Sequence, residues 1–116
     1  MDPLAILRDI PLFAETLDPA DLAEVAAAAR QHTFLDGAIL MAQGDLGSSM
    51  FVIVSGEVVV TYEGERGGEH VVACLTAGDV VGEMCLLTGA PRAGTVVARG
   101  RVTTLEIRKA DLEPVF

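Results

Sequence analysis

The hydrophobic pattern divides the chain into a helical first part and a strand-rich remainder. Within residues 2–31, apolar positions recur at helical spacing, and Asp18 followed by Pro19 is typical of a helix N-terminus. We predict a short helix over residues 3–8 and a longer one over residues 19–30. The apolar residues of the first segment form a cluster that we expect to pack on the sheet, with a partner interface as the alternative: Leu4, Leu7, Ile10, Leu12 and Phe13.

From Thr33 onward, short Val-rich runs alternate with turn residues. The runs predict strands at residues 33–35, 38–41, 50–54, 58–62, 70–75, 80–81, 95–98 and 102–107. Asp36-Gly37 predicts a hairpin turn, and Ser55-Gly56-Glu57 predicts a break between two strands. Arg99-Gly100 predicts a turn around which the last two strands pair. This cadence favours a small β-barrel or jelly roll over βαβ units.

One element interrupts the strands. Residues 83–87 form an apolar helical turn that follows Gly82 and precedes Arg92. Free amides at a helix start, with an arginine as counter-charge, suit a phosphate group. Glu83 would repel a phosphate but can accept a hydrogen bond from a sugar hydroxyl. The residues therefore point to a small sugar phosphate as the ligand.

Composition narrows the function further. The 116 residues are enough for one domain, and a net charge of −9 argues against a nucleic-acid surface. No apolar run reaches the roughly 20 residues of a membrane span, and we expect neither a signal peptide nor direct membrane contact. Cys74 and Cys85 lack a metal-ligand spacing, so we expect reduced thiols in a cytoplasmic domain.

The segment from Gly82-Glu83 to Pro91-Arg92-Ala93-Gly94-Thr95-Val96 resembles the phosphate-binding cassette of the cyclic nucleotide-binding domain family. That family includes the regulatory subunits of cyclic AMP-dependent kinase and the bacterial cyclic AMP receptor. The arginine follows the glutamate by nine positions, as the family pattern requires. Residues 52–60, with Gly56 between two Val-rich runs, and residues 75–79 are similar to two other family patterns.

The resemblance implies an α+β, mainly β fold. It is a small jelly-roll β-barrel with N-terminal helices, a short phosphate-binding helix between strands and a truncated C-terminal helix. We expect a single domain over residues 1–116, with a helical segment at 1–31 and a barrel at 32–108 that carries the cassette at 82–96. Residues 109–116 would begin the first of two further family helices, the last of which caps the base.

The resemblance also implies roles for individual residues. Glu83 would accept the ribose 2′-OH and Arg92 would pair with the cyclic phosphate. The backbone amides of Cys85 and Ala93 would reach the phosphate, and the backbone of Gly82 would lie against the ribose. For Glu83 and Arg92, a structural ion pair is the alternative.

Other positions of the family pattern bear on the base and the loop. Val72 and Leu75 would line the base side, and Met84 is either a ligand contact or a core residue. Ala93 lies where a Thr is often associated with cyclic GMP preference, which favours cyclic AMP and leaves cyclic GMP as the alternative. Gly94 replaces a usual Ala, which we expect to loosen the loop. The resemblance implies no metal and no other cofactor.

The function that follows is a non-enzymatic sensor module that controls an effector by conformational change. The cassette is also similar to that of bacterial cyclic nucleotide-gated channels, so the effector is either a domain of the same parent chain, such as an ion channel, or a partner protein. Homo-oligomer formation stays open. Two alternatives remain: a ligand-independent interaction module of the same fold, and a cupin-like metal enzyme, for which only His32 and His70 are available.

Overall fold

The computed structural model describes residues 1–115 as short helices packed around an antiparallel sheet. The helices are α1 (Pro3–Arg8), α2 (Pro11–Ala14), α3 (Pro19–Ala28), α4 (Glu83–Thr88) and α5 (Lys109–Leu112). The strands are β1 (Arg30–Phe34), β2 (Ile39–Met41), β3 (Ser49–Glu63), β4 (Glu69–Leu75), β5 (Val80–Val81) and β6 (Thr95–Arg108). The predicted mainly β roll with flanking helices is confirmed.

The N-terminal helices begin where the sequence indicates. The Asp18 carboxylate accepts a hydrogen bond from the Asp21 amide at 2.8 Å, and Pro19 is the first residue of α3. The predicted end at residue 30 is wrong, because Ala29 is already extended and β1 starts at Arg30. The helix α2 was not predicted, because its four residues, Pro11–Ala14, are too few to show a helical pattern.

β3 and β6 form the central ribbon of the roll. They pair from Ser49 opposite Arg108 to Thr61 opposite Thr95. β1 and β2 both pair with β6, and β4 and β5 both pair with β3. Two predictions are therefore wrong: residues 95–98 and 102–107 belong to one strand and do not pair with each other, and Asp36-Gly37 does not join a hairpin, since β1 and β2 each pair with β6.

The predicted break at Ser55-Gly56-Glu57 is an irregularity within β3 rather than a turn between strands. The register with β6 shifts on both sides of Ser55. Gly56 has φ +92°, and a Cβ there would lie 2.4 Å from the Arg101 carbonyl oxygen. A glycine therefore lets the strand bend against its partner without ending it.

Two apolar cores lie on opposite faces of the ribbon. The helix-side core joins α1, α2 and α3 to one face of β3 and β6; its buried members include Leu7, Phe13, Val25, Val52 and Ile107. The roll core fills the inside of the roll; its members include Phe51, Ile53, Val58, Val96 and Val102. Residues 50–53 of β3 alternate between the two cores, as the two-residue period of a strand requires. Both faces of β3 are buried over these residues, which fixes the register there.

The C-terminal helix α5 begins at Lys109, the first residue of the predicted segment 109–116. The Lys109 amide donates to the Ser48 carbonyl at 2.7 Å. The Asp111 carboxylate accepts from the Arg108 amide at 2.9 Å and from the Arg108 guanidinium at 3.0 Å. Phe116, the last residue of the predicted helix, lies outside the described residues.

Candidate functional site

The cassette helix α4 is bounded by two glycines. Gly82 and Gly89 have φ values of 86° and 72°, in the left-handed region that glycine adopts without strain. No side chain caps the start of α4. The amides of its first turn have no intrahelical acceptor, so they are available to a ligand. The strand β5 ends at Val81, a residue of the roll core, so the first turn of α4 lies at the edge of that core.

Arg92 is buried beside this helix, with 6% of its surface exposed. Its Nη1 donates to the Gly82 carbonyl at 3.2 Å, and its Nη2 donates to the Ser49 carbonyl at 2.7 Å. Its backbone is held as well, because its amide donates to the Asp45 carbonyl and its carbonyl accepts from the Gly44 amide, each at 2.8 Å. The side chain is therefore fixed before any ligand arrives.

The charge of Arg92 has no acidic partner among residues 1–115, since no carboxylate oxygen lies within 4.0 Å of it. The ion pair between Glu83 and Arg92, considered from the sequence, is therefore absent from the structure. Burying an unpaired charge is unfavourable, and two carbonyl oxygens compensate it only in part. An anion that reached the guanidinium would complete the compensation.

A cavity of about 230 Å³ opens next to Arg92. Six of the eight residues predicted for the site line it: Gly82, Glu83, Met84, Cys85, Arg92 and Ala93. Cys85 is buried, whereas Met84 is 59% exposed and contributes to the cavity wall. The structure thus brings the predicted carboxylate, arginine and helix start together around one space.

The two residues predicted for the base side do not line this cavity. Val72 lies on β4 with 60% of its surface exposed, and Leu75 is half-buried against the roll core. Val60 on the cavity wall pairs with Ala73 of β4, so this strand adjoins the site. Both residues therefore belong to the strand beside the cavity rather than to its wall.

Two residues that hold Arg92 or line the cavity were not predicted from the sequence. Ser49 supplies a carbonyl to the guanidinium, and Met41 lines the cavity from β2. A backbone acceptor leaves no mark on residue type, so the sequence carries no signal for the role of Ser49. Gly94 differs from expectation as well: a Cβ there would lie 2.7 Å from the Thr61 carbonyl oxygen, so this glycine permits close packing.

Two further observations bear on the alternatives. Within the described part of the chain, no three His, Cys, Asp or Glu side chains come together as metal ligands would. His32 instead contacts Glu106 at 3.0 Å across β1 and β6. Across residues 1–115, every helix is too short or too polar to cross a membrane.

A β-roll that holds a buried arginine and the start of a short helix at one cavity has the features of an anion-binding domain. The cyclic nucleotide-binding domain model matches residues 31–116, and the chain belongs to that family. Over 102 residues the chain is 39% identical to a cAMP-dependent protein kinase regulatory subunit of Mycosarcoma maydis. The alignment covers 88% of this chain and 19% of that protein. Over 108 residues the chain is 36% identical to a cyclic nucleotide-gated potassium channel of Rhizobium etli, covering 93% of this chain and 28% of the channel.

The same fold is present in the regulatory domain of Toxoplasma gondii PKA, solved in a co-crystal with cAMP. The two superpose with a TM-score of 0.90 at 27% identity, over 97% of this chain and 43% of that one. The chain spans from about a fifth to less than half of the length of these relatives. The family resemblance predicted from the cassette is thereby confirmed.

Proposed function

We propose that this domain is a sensor that binds a cyclic nucleotide, cyclic AMP in preference to cyclic GMP, and acts without catalysis. The observation that carries the proposal is the buried guanidinium of Arg92, fixed by two carbonyls and facing a cavity without a carboxylate partner within 4.0 Å in residues 1–115. A cyclic phosphate carries a single negative charge, which one arginine neutralises.

The remaining groups of the cavity suit the rest of a sugar phosphate. The backbone amides of Cys85 and Ala93 donate to the phosphate oxygens, next to the Arg92 fork. Glu83 shares the cavity with Arg92 but does not pair with it, so its carboxylate is free to accept the ribose 2′-OH. The backbone of Gly82 lies along the ribose.

The purine extends beyond this cavity. A volume of about 230 Å³ falls below the roughly 300–1,000 Å³ usual for pockets that enclose a drug-sized ligand. The cavity therefore receives the sugar phosphate, and the base lies toward β4. There Val72, which is largely exposed, and Leu75 offer apolar contact. Ala93, where family members that prefer cyclic GMP often carry Thr, supports the preference for cyclic AMP.

Binding reaches the C-terminal helix through two neighbouring carbonyl groups. The Ser49 carbonyl accepts from Arg92, and the Ser48 carbonyl accepts from the first amide of α5. A nucleotide that binds Arg92 and moves its side chain shifts the Ser48-Ser49 segment, and with it the start of α5. The effector is a domain of the same parent chain, such as an ion channel, or a partner protein. The sensor domain itself lies in the cytoplasm, either in a cytoplasmic protein or as the cytosolic domain of a membrane protein. Homo-oligomer formation remains a prediction for sedimentation experiments.

Calorimetric titration with cyclic AMP and cyclic GMP tests the proposal directly. We expect saturable heat with both nucleotides and a lower Kd for cyclic AMP, with adenosine binding far more weakly because it lacks the phosphate. Equal or reversed affinities would refute the cyclic AMP preference. If the folded protein gives no heat with either nucleotide, the sensor proposal fails and the ligand-independent interaction module takes its place.

A further inference from the structure

The guanidinium of Arg92 passes between two glycines. A Cβ built on Gly47 would lie 2.2 Å from both Cζ and Nε of Arg92 and 2.6 Å from its Nη2. A Cβ on Gly82 would lie 2.4 Å from Nη1. Real Cβ atoms do not approach other atoms this closely, so the two glycines leave the space that the arginine fills.

The need for glycine has a different basis at each of the two positions. Gly82 also has a left-handed φ of 86°, which alone favours glycine at that position. Gly47 is not among the residues with positive φ, so its backbone conformation is open to any residue. The space needed by Arg92 is therefore what requires a glycine at position 47.

We propose that Gly47 is a positioning residue for nucleotide binding, whose missing side chain sets the place of the Arg92 guanidinium. The inference rests on the proposed function, since it assigns a phosphate contact to Arg92. Gly47 itself does not line the cavity. It acts by allowing the fork to reach the Ser49 and Gly82 carbonyls, at 2.7 and 3.2 Å, in the orientation that faces the cavity.

A methyl group at position 47 has to displace the guanidinium from its two acceptors or push its own loop away. The loop is held nearby, because the Asp45 and Ser48 carbonyls accept from Arg92 and Lys109. The arginine side chain is the more mobile of the two. Loss of a preset geometry weakens a charge-assisted contact even when both groups are still present.

The matched substitutions are Gly47→Ala and Gly64→Ala. Gly64 is also absent from the positive-φ residues, and the nearest atom to a Cβ there is 3.9 Å away. Both changes add one methyl group to a loop glycine, and only the first meets Arg92. We expect Gly47→Ala to weaken cyclic AMP binding roughly tenfold to a hundredfold, part of the loss for a broken charge pair. Gly64→Ala should bind like the unmodified protein.

A thermal-unfolding cycle without nucleotide tests the contact itself. Gly47→Ala should lower the Tm when Arg92 is present and have little effect in an Arg92→Ala background, where the space is empty. If Gly47→Ala does not fold, recovery of folding in the double variant supports the inference, and failure of the double variant to fold overturns it. Additive effects on Tm would also overturn it.

An NMR signal separates positioning from general destabilisation. The Nε–Hε resonance of Arg92, assigned by its loss in Arg92→Ala, should shift in Gly47→Ala and stay in place in Gly64→Ala. An unchanged resonance, or unchanged nucleotide affinity in a protein that binds cyclic AMP, would refute the inference while the sensor function stands. If the unmodified protein binds no nucleotide, the proposed function fails, whereas the unfolding cycle and the resonance still report on the contact.

Discussion

Two arginines of this domain lie in opposite electrostatic surroundings. Arg108, at the end of β6, donates to the Asp111 carboxylate through its guanidinium at 3.0 Å and its amide at 2.9 Å. These interactions raise the pKa of Arg108 and lower the pKa of Asp111, chiefly through the hydrogen bond between the two side chains. The Arg92 side chain is more deeply buried, and within residues 1–115 its hydrogen bonds go to two neutral acceptors, the Ser49 and Gly82 carbonyls.

The difference distinguishes a structural from a ligand-directed charge. Arg108 completes a helix start and is neutralised within the fold. Arg92 is orientated by neutral acceptors, so its charge remains for a group from outside. A buried arginine that the fold orientates without neutralising is a sharper sign of an anion site than the number of basic residues, which is low here.

The largest expected effect comes from removing each of the two arginines in turn. Arg92→Ala should weaken cyclic AMP binding roughly 30-fold to several-thousand-fold, because removing one partner of a buried charge pair costs about 2–5 kcal/mol. Arg108→Ala should leave the affinity unchanged and lower the Tm. Calorimetry and thermal unfolding of both variants check the prediction. Equal losses of affinity would contradict the distinction between a structural and a ligand-directed arginine.

Glu83 gives the next largest effect. Glu83→Ala should weaken cyclic AMP binding roughly tenfold to a hundredfold, since a hydrogen bond to a charged group contributes about 1.5–3 kcal/mol. The same substitution should hardly change the affinity for 2′-deoxy cyclic AMP, because this nucleotide lacks the hydroxyl that donates a hydrogen bond to Glu83. A similar loss with both nucleotides would contradict the assigned contact.

The smallest effect concerns the pH dependence of stability. The pKa of Asp111 is lowered in the folded state, so its carboxylate stabilises the fold above the ordinary carboxyl pKa of about 3.9. That stability is lost as the pH falls through the lower, folded-state pKa. Asp111→Ala should therefore reduce the Tm at about pH 7, and the difference from the unmodified protein should shrink toward about pH 2. A difference that is constant with pH would exclude the ionic contribution.

The cassette could be predicted from the sequence because its functional residues lie close together in the chain. Gly82, Glu83 and Arg92 lie within a short stretch, and their residue types specify a turn, an acceptor and a cation. α3 was readable for the same reason, apart from its end. The sequence signals at Asp18 and Pro19 describe contacts between near neighbours.

The pairing of β6 could not be predicted from the sequence, because its partner strands lie far away in the chain. A glycine within a strand-like run indicates a turn or a bulge equally well, and at Gly56 only the approach of the Arg101 carbonyl decides for the bulge. The same holds for Gly47, whose role depends on Arg92, a residue far from it in the chain. Long-range register is thus the part of this fold that local patterns leave undetermined.

The central ribbon has a consequence for how the domain forms. Arg92 lies three residues before β6, whereas Gly47 lies two residues before β3 and Ser49 is the first residue of β3, so the site is assembled by closing a long loop. Contacts between residues far apart in the chain form slowly, after the loop-closure entropy has been overcome. A growing chain therefore completes the site only once β6 has been synthesised. We expect cyclic AMP to slow unfolding of the finished domain and to leave its folding rate unchanged.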